Sequence, residues 1–327
     1  MEKKMAHSYI SGIHHITAIA ADPQQNIDFY AGVLGMRMIK KTVNFDAPDT
    51  YHFYYGDKIG TPGSVLTFFP WGEGSWKGRA GTGQVTVISF AVPRNSMDYW
   101  IERLQLADLS IQDPFTRFEE QVLTFRDPDG IQLELVASDA ITDQAWNEGA
   151  VPPHAAIQGF YGATLAVRNH QNTAKLLTEH MGFELQQQSG NRYRFVNPHG
   201  HMGSVVDLLE LPAGQEGRMG AGAVHHIAWR IPDDEKQLKI QQELTALGYQ
   251  VSPVRDRNYF HSIYFREPER ILFEIATDTP GFLIDESIEM LGKQLRLPEW
   301  YESRREEIEA SLAKIRDPQI PHAITME

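Results

Sequence analysis

Two histidine doublets stand far apart in this chain, His14-His15 within Gly12-Ile13-His14-His15-Ile16 and His225-His226 within Ala223-Val224-His225-His226-Ile227. A third polar residue, Glu274, interrupts the apolar run Phe273-Glu274-Ile275. Two imidazoles and one carboxylate are the parts of a facial triad that grips a divalent metal from one side and leaves the other positions open. A lone histidine on an apolar strand is usually a hydrogen-bonded core residue. Two doublets, joined by a carboxylate that would be costly in a core unless paired or metal-bound, point to ligation instead. Neighbouring residues of a strand face opposite sides, so one histidine of each doublet is expected to bind. The chain has no cysteine, which removes thiolate ligands and nucleophiles together and restricts the metal to nitrogen and oxygen donors. Iron(II), manganese, nickel or zinc would suit such a set.

The elements that must carry these residues recur. A unit of strand, helix and strand-rich stretch can be traced four times, weak in identity and clear in layout. In the first, Ile13 to Ile19 reads as a strand. Asp22-Pro23 opens a helix with Ile27, Tyr30 and Leu34 on one face, and Gly35 is placed to end it before a strand from Met36 to Ile39. The third repeats this with Ala163 to Val167, a helix bearing Ala174, Leu177 and Met181, then Gly182 and a strand. The fourth has His226 to Trp229, a helix bearing Ile240, Leu244 and Leu247, then Gly248 and a strand over Tyr249-Gln250-Val251. The second lacks the glycine stop but keeps a strand from Val85 to Phe90 and a helix with Met97, Trp100, Ile101 and Leu104. Thr124 to Leu135 matches Tyr264 to Ile275 position for position, each a strand, tight turn and strand, with Glu134 at the place of Glu274. The turns Asp127-Pro128-Asp129-Gly130 and Asn197-Pro198-His199-Gly200 are read as turns and nothing more.

With 327 residues and 42% apolar content the chain can fill two sizeable cores. The net charge of −13 would repel nucleic acid and anionic membrane surfaces. Met1 to Ser8 carry two lysines with no apolar run behind them, and no later run is long enough to cross a bilayer, which predicts a soluble, cytoplasmic protein.

Residues 10 to 278 resemble the vicinal oxygen chelate superfamily, whose βαβββ modules include glyoxalase and the extradiol dioxygenases. Ile13-His14-His15-Ile16-Thr17, Lys58-Ile59-Gly60-Thr61-Pro62-Gly63, His225-His226 and Leu297-Pro298-Glu299-Trp300-Tyr301-Glu302 look like the bacterial hydroquinone-type ring-cleaving dioxygenases. The resemblance implies an α+β fold of four βαβββ modules, over 10–71, 84–138, 159–211 and 222–278, forming two cup-shaped barrels. A helical tail over 284–316 would follow, with Trp300, Ile308, Leu312 and Ile315 on one face. In that family a metal is held from the first and last strands of two paired modules. Aligning the repeats sets His15 opposite Gly162, His226 opposite Val87 and Glu274 opposite Glu134. Only a pairing of modules one and four then collects three ligands. The resemblance selects the second histidine of each doublet, giving His15, His226 and Glu274 as metal ligands, and points Thr17 into the cup.

His14 and His225 become candidates for orienting the ligands and moving protons, and hydrogen bonding between modules is their alternative role. Tyr264 should lie one register step from Glu274, and the resemblance implies that Arg257 and Tyr264 contact substrate. Arg257 could equally be a solvated charge beside Asp256. Glu134, with no histidine in its own module, is expected to hydrogen-bond locally or face solvent. His52 and His261 sit among aromatic residues that could line the pocket, and His199 and His201 read as loop residues. Tyr54, Tyr55, Phe68, Phe69, Tyr259 and Phe260 would suit a flat ring, though such residues more often fill a core.

These readings converge on an iron(II) ring-cleaving dioxygenase, with Mn(II) as the alternative metal, that inserts O2 into a hydroquinone or related dihydroxybenzene. A small aromatic substrate and O2 are the partners implied; nucleic acid and membrane are excluded, and a homo-oligomer is left open. One rival is a glyoxalase-like isomerase or lyase, which would need a fourth ligand from the strand Ser64 to Phe69, where none is offered. A second is a metal-free module that sequesters an aromatic drug, against which the ligand set argues.

Overall fold

A computed structural model describes residues 9–72 and 74–320, so Met1 to Ser8 lie outside the described residues. Among the described residues, sixteen strands make two eight-stranded sheets. The first unit supplies β1 (Ile13–Ala20), β2 (Arg37–Asn44), β3 (Ala47–Gly56) and β4 (Val65–Pro70), and the second β5 (Gln84–Pro93), β6 (Phe115–Arg117), β7 (Glu120–Arg126) and β8 (Gln132–Ser138). The third supplies β9 (Gly159–Val167), β10 (Glu184–Ser189), β11 (Arg192–Val196) and β12 (Val205–Glu210), and the fourth β13 (Ala223–Ile231), β14 (Arg255–Asp256), β15 (Phe260–Arg266) and β16 (Leu272–Pro280). One sheet runs β14-β15-β16-β13-β1-β4-β3-β2 and so joins units four and one; the other runs β10-β11-β12-β9-β5-β8-β7-β6 and joins three and two. The joints are antiparallel, β1 with β13 and β5 with β9.

Helices α1 (Pro23–Ile27, continued by a wider turn over Asp28–Val33), α2 (Met97–Leu106), α3 (His170–His180) and α4 (Asp234–Ala246) follow the first strand of each unit. Asp22, Asn169 and Asp233 cap α1, α3 and α4 by accepting from backbone N–H groups of the first turn. Gly35 follows the first of these helices at φ +66, where a Cβ would strike Val151, so the stop read from the sequence is a steric requirement. The second unit uses Asp108 at φ +57 in that role, a residue type that tolerates the left-handed region. The main core binds the sheet faces carrying Ile16, Ala18, Ile88 and Phe90 to Tyr30, Trp100, Leu177 and Leu244 of the helices.

Two expectations are corrected and one, the helical tail, is refined. The strand foreseen over Tyr249-Gln250-Val251 does not form; in its place, further along, stands the two-residue β14, because Pro253 has no N–H to give and Ser252 takes the edge position with bonds to Tyr264. The tail is only partly helical. It has short turns at Phe282–Ile284 and Ile288–Met290, then α5 (Glu299–Glu302) and α6 (Arg305–Ser311), with Trp300 half exposed while Ile308 and Leu312 are buried. The Asp127 turn is more than a turn, since Asp127 is buried, accepts from the N–H groups of Asp129 and Ile131, and receives the Tyr30 hydroxyl at 3.0 Å.

Candidate metal centre

The first sheet turns a row of side chains to one face. Cross-strand register puts His15 opposite Ala228, Ala228 opposite Glu274 and Glu274 opposite Tyr264, while Thr17 lies opposite both His226 and Thr67. His226 Nε2 is 2.8 Å and His15 Nε2 3.4 Å from Glu274 Oε2, and the two Nε2 atoms are 3.4 Å apart. All three residues are buried, and their ligand atoms lie within 4.8 Å of one another. Glu274 Oε2 makes no hydrogen bond among the described residues, whereas Oε1 accepts from the Ser262 hydroxyl. An orphaned buried carboxylate oxygen facing two imidazole nitrogens is what a divalent cation would satisfy. The electrostatics agree. Burial pushes the Glu274 carboxyl up, but His15 and His226 outweigh it and hold it well below the usual range; burial lowers His226, opposed by Glu274. A charged carboxylate with a neutral imidazole is the ligating form.

Strand alternation does not run through the histidine doublets. Pairing jumps from Ile13↔Trp229 to His15↔Ala228 and from Thr17↔His226 to Ala18↔Val224, so His14 and His225 are extra residues at two β-bulges. A bulge re-aims its side chain. Both rings of each doublet therefore come together, with His14 Nδ1 2.9 Å from His15 Nδ1 and His225 Nδ1 2.8 Å from His226 Nδ1. With Nε2 of each ligand turned to the metal position, its Nδ1–H donates to the neighbour, which fixes ligand orientation. The two neighbours then differ. His14 Nε2 is 3.2 Å from the Thr277 carbonyl, so its one N–H is used there. His225 Nε2 has no partner among the described residues, and the ring borders the cavity. Burial first, then the adjacent histidine, drives His14 well below its ordinary value and His225 down to about 3, so both are neutral.

The cavity in front of the triad has a volume of about 360 Å³ and is bordered by Thr17, His52, Phe69, His225, Arg257 and Tyr264 among others. Arg257 Nε donates to the Tyr264 hydroxyl at 3.1 Å, and its Nη1 reaches Asp46 at 3.1 Å from the β2–β3 turn. Arg257 is thus a cavity residue rather than a solvated neighbour of Asp256. Tyr264 is raised by burial and by Glu274 against the opposition of Arg257, so its proton stays on. His52 borders the cavity, but His261 lies outside it and pairs with Asp234, while His199 and His201 fall in a turn and a bend. Tyr54, Phe69 and Phe260 face the cavity, whereas Tyr55 and Phe68 belong to the core on the other face and Tyr259 stacks on Phe282. Asp46 and Thr67 are cavity-wall or supporting residues that the sequence reading passed over, whereas Tyr54 was already among its aromatic candidates. Alternation from Phe69 would have found Thr67, whereas no local signal marks Asp46. A larger cleft of about 1120 Å³ between Arg37 and Arg316 contains none of the triad.

The second sheet holds the same positions without a metal-ligand cluster among the described residues. Gly162 and Val87 replace the histidines, and Glu134, only 1% exposed, is gripped by Arg117 at 2.9 and 2.5 Å and by Ser89 at 2.8 Å. Of the two fates foreseen for Glu134, local bonding is the one observed. Arg192 and Arg194 bind Asp207 alongside, and the remaining void is about 10 Å³.

Residues 12–135 and 154–275 match the model of the Glyoxalase/Bleomycin resistance protein/Dioxygenase superfamily. The chain is 50% identical over 304 residues to MhqO of Bacillus subtilis (strain 168), a provisionally named ring-cleaving dioxygenase, covering 92% of this chain and 95% of that protein. It is 31% identical over 317 residues to chlorohydroquinone/hydroquinone 1,2-dioxygenase of Sphingobium indicum, covering 94% and 97%. The crystal structure of a provisionally named dioxygenase from Bacillus subtilis subsp. subtilis str. 168 superposes with a TM-score of 0.92 at 48% identity, over 96% of this chain and 100% of that one. Glyoxalase I of Zea mays shares the fold at a TM-score of 0.61 and 15% identity, over 82% and 93%. Two copies of the repeat matched along most of the length, around one buried His-His-Glu cluster, make this chain a member of the glyoxalase/bleomycin resistance protein/dioxygenase superfamily.

Proposed function

We propose that the protein is a metal-dependent ring-cleaving dioxygenase that opens a dihydroxybenzene, with Fe(II) as its metal and para-hydroquinones as preferred substrates. The observation that carries this reading is a triad of His15, His226 and Glu274 with one orphaned carboxylate oxygen, at the base of a cavity walled by aromatic rings. The metal, when bound, would hold the substrate oxygen and O2 together and pass electrons between them. A volume of about 360 Å³ is at the small end of ligand pockets, roughly 300–1,000 Å³, and suits a single ring. Preference for the para isomer rests on similarity to the Sphingobium enzyme.

The chain's own groups divide the remaining work. Arg257, held cationic by Tyr264 and Asp46 despite its burial, favours a phenolate in the cavity. Because Arg257 donates to the Tyr264 oxygen, the Tyr264 O–H is free to donate a hydrogen bond to a substrate oxygen. His225 keeps its Nδ1 lone pair on His226, which leaves its Nε2–H as a hydrogen-bond donor on a ring that borders the cavity. A glyoxalase-like reaction wants a fourth ligand at the position of β4 equivalent to Glu274, and Thr67 stands there.

The test is anaerobic reconstitution with Fe(II), followed by oxygen uptake with hydroquinones and catechols. One O2 consumed per dihydroxybenzene, with an ultraviolet-absorbing or yellow ring-opened product, is expected. No uptake with either class, together with isomerisation of a thiohemiacetal by the nickel or zinc form, would replace this reading with the glyoxalase one.

A further inference from the structure

The position that would carry a fourth metal ligand has been given to a different device. Thr67 pairs with Thr17 as Glu274 pairs with Ala228, and Tyr54 pairs with Thr67 as Tyr264 pairs with Glu274. Units one and four thus face each other across the cup, with Tyr54, His52 and Thr67 standing where Tyr264, Ser262 and Glu274 stand opposite. The three hydroxyl-bearing residues and His52 form a continuous chain. Tyr54 Oη is 2.9 Å from His52 Nδ1, His52 Nε2 is 2.8 Å from Thr67 Oγ1, and Thr67 Oγ1 is 2.8 Å from Thr17 Oγ1. Both ends, Tyr54 and Thr17, border the cavity, and Thr17 lies beside His226 and two residues from His15.

We propose that this chain is a hydrogen-bond wire and that His52 is a positioning residue, acting through Thr67 to set whether the Thr17 hydroxyl offers a proton or a lone pair to the substrate oxygen. The inference rests on the dioxygenase reading and refines it. A neutral imidazole has one N–H and one lone pair. Burial, with His15, His226 and Arg257 adding to it, keeps His52 in that neutral form. The wire then has two senses. When Tyr54 donates to Nδ1, Nε2–H donates to Thr67, Thr67 to Thr17, and the Thr17 hydrogen faces the cavity. In the opposite sense Thr17 donates to Thr67, Thr67 to Nε2, and Nδ1–H to Tyr54, so the Thr17 oxygen accepts. No group changes its charge in either sense. A bound phenolate selects the donating sense and a neutral phenol the accepting one.

Thr67→Val is nearly isosteric and cuts the wire, whereas Thr67→Ser keeps a hydroxyl in place. Hydroquinone is titrated calorimetrically into zinc-loaded wild type and both variants, with metal content and melting temperature measured alongside. Thr67→Val is expected to weaken hydroquinone binding about tenfold at full metal content, the size of one lost hydrogen bond to a charged oxygen, with Thr67→Ser within about threefold of wild type. His52→Phe should reproduce Thr67→Val, and His52→Gln, which retains a donor and an acceptor, should restore most of the affinity. Equal affinity of wild type, Thr67→Val and His52→Phe at full metal content overturns the wire. So does a loss shared equally by Thr67→Ser, because that would trace to packing. Failure of the Fe(II) wild type to consume O2 overturns the dioxygenase reading instead, and the zinc titration still decides the wire.

Discussion

At the scale of single residues, the two histidines beside the ligands look alike in sequence and are used differently. His14 closes its network on the Thr277 carbonyl, while His225 leaves Nε2 toward the cavity. His14→Ala should therefore act through the metal, with affinity falling by roughly 10–100-fold, as for other partners that orient a ligating imidazole. His225→Ala should show that loss and in addition a fall in kcat of roughly 10²-fold at saturating metal, the size of one lost hydrogen-bond donor to the developing charge. Metal titration followed by turnover of the loaded variants separates the two; equal kcat losses would mean that the asymmetry has no functional weight. The two glutamates diverge in the same way. Glu274→Ala should abolish metal binding. Glu134→Ala should leave metal content intact but cost about 1–3 kcal/mol in urea denaturation, because it removes the carboxylate that binds the half-buried Arg117 guanidinium through two bonds. Retained metal in Glu274→Ala would show that the cups had been assigned to the wrong roles.

At the scale of elements, the ligand set was legible because repeat alignment ties each position to its strand and the family resemblance selects the second histidine of each doublet. His15, His226 and Glu274 could be compared with Gly162, Val87 and Glu134 without coordinates. Bulges left no such trace. Nothing local in Ile13-His14-His15 says that the strand takes one extra residue there, since the bulge is a property of pairing with β13. The tail's helices are present but short, for a related reason. Its apolar residues are spaced for a helix, but Leu297, Ile308 and Leu312 reach a satellite core with Val43 instead of lining one long face. Its function is visible only in contacts. Trp300 packs edge-on to Phe45 with ring centres 5.6 Å apart, Tyr301 donates to the Phe45 carbonyl at 2.9 Å, and the next residue, Asp46, holds Arg257. The tail thus steadies one lip of the cavity. Replacing Trp300 by Ala together with Tyr301 by Phe should raise KM for hydroquinone about threefold to tenfold, the sum of one ring contact and one hydrogen bond, with metal content unchanged. An unaltered KM would leave the tail as packing alone.

At the scale of the whole molecule, one module has been used four times, and its shared positions have drifted apart in chemistry while keeping their geometry. One sheet gathers its inward groups around a metal position; the other neutralises the same interior with Arg117, Arg192 and Arg194 against Glu134 and Asp207. The sheets join unit one to four and two to three, but the hairpin turns tie the other pairs. Asp127 of unit two receives the Tyr30 hydroxyl of unit one, and Glu267 of unit four receives the Thr173 hydroxyl of unit three at 2.6 Å. Burial raises these carboxyls, Asp127 from 3.8 to about 7 and Glu267 from 4.5 to about 7, against the pull of their hydrogen-bond donors. The folded state therefore binds protons that the unfolded chain releases. The stability that Asp127 and Glu267 contribute is fully present below about pH 4 and is lost as the pH rises through about 7. A double variant, Asp127→Asn with Glu267→Gln, keeps neutral acceptors at both sites and removes that loss. Its urea midpoint relative to wild type should shift in the variant's favour between pH 5 and pH 8. Other titrating groups, Glu274 among them, act equally in both proteins and cancel in the difference. A pH-independent difference would mean that both carboxyls are ionised in the folded state across that range, so that the ties between the paired halves are charge-assisted rather than neutral.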